Sequence, residues 1–166
     1  MKRTLFFFLL AALILVGCKS KEKISEPKDI GPQVMDILEE MKDITRPEFA
    51  ERFISWNTLQ EIAGDKKLVT DEEQRRSMRR ATKKEMKVRY NFMHMRLKSK
   101  GKRYGINWGD IKFVDFTHEI EKRGGAKFCY GLLTFKFRSS KYSVRTSSVY
   151  DGSDYVLASV TDLREI

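Results

Sequence analysis

The hydrophobic period of this chain changes near residue 110, and that change constrains its fold more than any other feature. Before it, apolar residues recur every three or four positions; after Gly105-Ile106-Asn107-Trp108-Gly109 they alternate. The first spacing lines one face of a helix, and the second lines one face of a strand. Helices followed by strands joined through tight turns predict an α+β fold, with N-terminal helices packed on a curved four-stranded antiparallel meander.

Two or three helices are expected. Val34, Ile37, Leu38, Met41 and Ile44 place an amphipathic helix over Pro32 to Ile44. Thr45-Arg46-Pro47-Glu48 is a capping-box pattern with proline in the first turn, where no helical hydrogen bond is lost. A second helix then carries Phe49, Phe53, Trp56, Leu59 and Ala63 and stops at Gly64. Thr70-Asp71-Glu72-Glu73 opens a third, running to about Lys100. Its apolar side is read as Met78, Thr82, Met86, Met93 and Leu97, widened by Ala81, Val88, Phe92 and Met95.

Four strands fit the remainder, at about 111–122, 126–138, 141–150 and 154–163. Gly124-Gly125 and Asp151-Gly152 suit two-residue hairpin turns, and Ser139-Ser140 is a weaker one. The third strand alternates Val144, Thr146 and Ser148 against Ser143, Arg145 and Ser147, which suits a sheet with one solvated face.

The N-terminus has a different character. Met1-Lys2-Arg3 is a short basic start, and Leu5 to Val16 is unbroken apolar sequence. Twelve helical residues span about 18 Å, short of a bilayer core of about 30 Å. The stretch therefore reads as a signal peptide over 1–17, not as a permanent span. It closes on Leu15-Val16-Gly17-Cys18, which resembles the lipobox of bacterial lipoproteins. The resemblance implies that Cys18 is diacylated on its thiol and becomes the mature N-terminus, holding the protein to a membrane through palmitate-like chains. Two or more acyl chains anchor stably without a transmembrane span. Lys19 stands where aspartate would retain such a protein in the inner membrane, so the outer membrane is favoured in a Gram-negative host. Residues 18–31 are then a lipidated, flexible polar tether, and 32–166 the α+β domain.

Lipidation at Cys18 leaves Cys129 without a partner in the chain, which excludes an intrachain disulfide. Cys129 lies in a strand-like run and reads as a buried structural thiol. Loss of Lys2 and Arg3 lowers the formal charge from +10 to +8.

Much of that charge is concentrated in one block. Residues 75–103 hold thirteen Lys or Arg against Glu85 alone. Arg75, Arg76, Arg79, Arg80, Lys83, Lys84 and Lys87 recur at helical spacings and form the candidate polyanion-binding set. An envelope address excludes cytoplasmic nucleic acid and favours an anionic lipid or envelope polymer as partner. A solvated helix face is the plainer reading of the same charges.

Met93-His94-Met95 carries copper-type donors, but three consecutive helical residues point about 100° apart and cannot share an ion. His118 alternates with Val114, Phe116 and Ile120, so a pocket on the concave sheet face is expected to involve His118, Phe116 and Tyr130. No nucleophile, base and orienting group stand together near it, and no phosphate loop, zinc spacing or nucleophile elbow occurs. No cofactor or metal is therefore expected.

The element order across about 32–163 resembles the cystatin-like and nuclear-transport-factor-two-like folds. The Gln-x-Val-x-Gly inhibitory loop of cystatins is absent, since Gln33-Val34-Met35 does not match it. The function expected is a lipid-anchored cell-envelope protein with a non-catalytic binding or structural role, contacting anionic components through the basic helix. The alternative is a small pocket enzyme or ligand carrier using the concave sheet.

Overall fold

The structure, a computed structural model, describes residues 23–166. Cys18 and the lipobox lie outside the described residues.

Among the described residues, five helices precede four strands. A 3-10 turn at Pro27–Asp29 leads into α1 (Ile30–Glu40), followed by α2 (Arg46–Glu51), α3 (Trp56–Gly64), α4 (Glu72–Arg79) and α5 (Lys83–Arg103). A second 3-10 turn, Trp108–Asp110, opens the strand half: β1 (Lys112–Arg123), β2 (Ala126–Phe137), β3 (Ser140–Tyr150) and β4 (Tyr155–Glu165). They pair antiparallel in the order β1-β2-β3-β4, the expected meander.

Two expected helices are each divided. The second breaks between Glu51 and Trp56, where the Ile54 amide donates to Leu157 of β4 at 2.7 Å and Ser55 caps α3 by accepting from the Thr58 amide. The third breaks at Arg80–Thr82. Thr82, expected on the apolar side, is instead the N-cap of α5, in a capping box with Glu85. The Thr82 amide and then its hydroxyl donate to that carboxylate and hold it below the usual range.

The domain begins earlier than expected. Ile24 is buried and bridges to Tyr155 at the start of β4, and Ile30 is fully buried, so residues 24–31, expected in the tether, pack within the domain. The turns also shift. Gly124 and Gly125 form the expected two-residue hairpin, both at positive φ. The next turn is Arg138-Ser139, with Arg138 at φ 54°, not Ser139-Ser140. The last spans 151–154, closed by the Asp151 carboxylate accepting from the Ser153 and Asp154 amides.

One core lies between the sheet and α1, α2 and α5. Phe49, Phe53, Leu38, Met41, Leu133, Phe135, Leu157 and Leu163 are all essentially solvent-free there. A second cluster joins α3 and α4, through Ile62, Ala63, Val69 and Met78, to Ala126 and Val149 at the ends of their strands. Val149 alternates with Ser148, which belongs to the first face, so α3 and α4 cover one end of the opposite face.

Candidate functional site

The basic block does not form one surface. Arg75 is buried, and its guanidinium donates to the Val69 and Thr70 carbonyls at 2.7 and 3.2 Å and to Glu72. It closes the loop before α4 and is unavailable to a polyanion. Arg76 faces solvent with Nε 3.6 Å from the Glu72 carboxylate. Hydrogen bonding and charge from Arg75, with a smaller contribution from Arg76, hold Glu72 below the usual carboxylate range. Arg79, Arg80, Lys83, Lys84 and Lys87 are exposed. Lys83 leans over the Trp56 ring, its ammonium 4.8 Å from the ring centre.

The outer side of α5 is the unexpected feature. Tyr90, Met93 and Leu97 face the core. Val88, Phe92 and Met95 lie opposite them and are 60%, 53% and 45% exposed, so they do not widen the core stripe. Spacings of four and three put these three along one crest. On one flank stand Lys84, Lys87, Lys98 and Lys102, and on the other Arg89, Arg96, Lys100 and Arg103. A helix apolar on two opposite sides carries a second stripe that its own fold does not cover. That doubled stripe was present in the sequence as Val88, Phe92 and Met95, but counting every apolar residue toward one core hid it.

The second flank meets β4 in a groove of about 350 Å³. Met93, Leu97, Val160 and Leu163, nearly solvent-free members of the core, underlie it; exposed Phe92 contributes its apolar rim, and Arg89, Arg96 and Lys100 its cations. The Arg96 guanidinium lies 5.5 Å from the Phe92 ring centre, and Lys100 donates to the Leu163 carbonyl at 2.9 Å. Asp162 is the one carboxylate at the groove, with Arg145 Nε 3.5 Å away.

The expected pocket residues are separated. Phe116 pairs with Leu133 and His118 with Gly131, so both lie on the helix-covered face. Tyr130 pairs with Glu119 and belongs to the other face. Phe116 is half-buried where α1 crosses β1. A Cβ at Gly31 would meet its Cβ and Cγ at 2.6 Å, and one at Gly131 its ring at 2.3 Å. His118 is exposed, stacked 5.7 Å from Phe116 at 19°. The helix-covered face is filled by Phe, Leu and Met side chains. What remains open is a broad, shallow depression of about 720 Å³ on the opposite face, lined by Glu119, Glu121, Arg123, Tyr130, Arg145 and Arg164 among others. Arg123 pairs there with Glu121 at 2.6 Å and lies 5.6 Å from the Tyr130 ring centre.

Met93, His94 and Met95 diverge: Met93 and His94 are buried and Met95 is exposed. His94 Nε2 lies 3.1 Å from the Ile44 carbonyl, which can only accept, so Nε2 carries the proton. Burial pushes its imidazole below the ordinary value of 6.5. The Cys129 thiol is also buried, which pushes it up to about 11. Among the described residues no group of three His, Cys, Asp or Glu converges on a metal position. No protein-family model, no curated protein and no solved structure matches the chain.

Proposed function

We propose that this is a lipid-anchored cell-envelope protein whose domain binds an anionic membrane surface through α5, without catalysing a reaction. The observation that carries the reading is the apolar crest Val88-Phe92-Met95 set between two rows of cations. That is the arrangement of a helix lying at a bilayer interface, with apolar groups entering between headgroups and basic stems reaching over them. Each basic residue near an anionic leaflet adds about 1 kcal/mol, so the two rows together make a strong but salt-sensitive attachment.

Chain connectivity supports it. Cys18 precedes Ile24 by six residues (24 minus 18), which reach at most about 20 Å. An acylated Cys18 therefore keeps the domain close to the bilayer, in the outer membrane if the host is Gram-negative. A pocket enzyme or carrier on the covered sheet face is disfavoured by the side chains that fill it.

Two experiments test the reading. Mass spectrometry of the mature N-terminus should find a diacylated Cys18, and an unmodified Cys18 or cleavage elsewhere refutes the anchor. Amine footprinting of the full chain, reconstituted in zwitterionic or anionic vesicles, tests the contact. Lys84, Lys87 and Lys98 should be protected on anionic vesicles only, with salt restoring their labelling, while Lys136 and Lys141 stay reactive throughout. Equal labelling of Lys84, Lys87 and Lys98 on both lipids overturns the contact.

A further inference from the structure

We propose that the groove between α5 and β4 is a site for one anionic phospholipid, taking its headgroup and the first methylenes of a chain. The inference rests on the membrane-contact reading and goes beyond it, from a surface attracted to charge to a site that selects a lipid. Its volume of about 350 Å³ lies at the lower end of the range for small-molecule sites, about 300–1,000 Å³. A groove of that size takes a headgroup and the start of a chain, not a whole lipid.

The chemistry within it is divided as such a ligand requires. Arg89, Arg96 and Lys100 approach from one helix flank, spaced seven and four residues apart. Guanidinium groups match phosphate oxygens with paired N–H donors. An ammonium carries three donors, and the Leu163 carbonyl takes one of those on Lys100, leaving two to turn inward. Arg96 is held against the Phe92 ring, 5.5 Å from its centre, at the edge of the apolar crest. Asp162 would oppose an anion, but Arg145 stands 3.5 Å from its carboxylate and offsets that charge.

Position decides which anion this is. The groove opens beside Phe92, and Phe92 belongs to the crest proposed to enter the headgroup layer. Phe92, 53% exposed on the groove, would be wasted on a bare phosphate, whereas a lipid phosphate arrives with methylenes attached.

The experiment is native mass spectrometry of the full chain released from nanodiscs of mixed phosphatidylglycerol and phosphatidylcholine with matched chains. The wild type should retain one phosphatidylglycerol in preference to phosphatidylcholine. Arg89→Ala with Arg96→Ala should reduce that adduct by about tenfold or more, since each removes a charge-assisted hydrogen bond; both also belong to the second cation row, so footprint protection of Lys84, Lys87 and Lys98 should weaken without vanishing. Lys84→Ala with Lys87→Ala, on the opposite flank, should weaken the remaining surface protection and keep the adduct. Equal retention of the two lipids, or an adduct unchanged in the Arg89/Arg96 variant, overturns the groove and leaves the membrane-contact reading standing. Displacement by glycerol phosphate as effective as by the lipid overturns the acyl part. Loss of footprint protection in the wild type, with the adduct intact, overturns the membrane-contact reading instead.

Discussion

Arg75 and Arg76 carry the same charge one residue apart, yet one is buried against the loop before α4 and the other faces solvent. Arg75 is spent on the Val69 and Thr70 carbonyls, and its removal takes the donor from the buried Val69 carbonyl. Arg75→Ala is expected to cost about 2 kcal/mol in chemical denaturation, whereas Arg79→Glu at an exposed site should stay within about 0.5 kcal/mol of wild type. Two buried groups give further readouts. Burial lowers the folded pKa of His94 below the ordinary 6.5 that it regains on unfolding. Just below pH 6.5 the unfolded chain therefore binds more protons, so stability present above that pH is lost as pH falls toward the folded value. Melting temperature should drop between about pH 7 and 5, and His94→Gln should flatten that drop. Cys129, with its thiol pushed up to about 11, should resist thiol reagents at pH 8 until the domain unfolds. Rapid labelling of the native state would contradict its place in the core.

At the scale of elements, the capping residues were more informative than the hydrophobic period. Thr82-x-x-Glu85 is a readable box, but Met78, Thr82 and Met86 continue the apolar spacing across it, so the period ran α4 and α5 together. The break at Glu51–Trp56 was equally hidden, because its cause is a hydrogen bond from Ile54 to distant Leu157. The Gly124-Gly125 hairpin was legible because both residues must adopt positive φ, which glycine does freely. The Arg138-Ser139 turn was not, since nothing about an arginine announces φ 54°. Thr82→Ala should cost about 1 kcal/mol by freeing the first turn of α5. Substituting the crest is a different test of the same helix. Val88→Gln, Phe92→Gln and Met95→Gln together should leave stability nearly unchanged, because these side chains pack on little, while reducing protection of Lys84 and Lys87 on anionic vesicles. A large loss of stability would place the crest in the core after all.

For the whole molecule, α+β class and strand order follow from the period change and the turns, and both are present in the structure. The candidate surface was half legible. Charge density marked residues 75–103 at once, but burial of Arg75 and exposure of Phe92 depend on which side of each helix the sheet occupies. His118 and Tyr130 failed as a pair for a related reason: the register sets His118 opposite Gly131, and Tyr130, one residue along β2 from Gly131, points to the other face. What results is a domain with a filled interior, a polar open sheet face and one helix with an apolar crest between cations. The most direct test is an environment-sensitive fluorophore on Met95→Cys in the reconstituted full chain, with the buried Cys129 thiol unreactive. On anionic vesicles its emission should shift to the blue, headgroup-labelled nitroxide lipids should quench it, and high salt should reverse both. A matching label on Glu119→Cys, on the open sheet face, should remain aqueous. If the label at 95 stays as aqueous as the one at 119 on both kinds of vesicle, α5 does not meet the membrane.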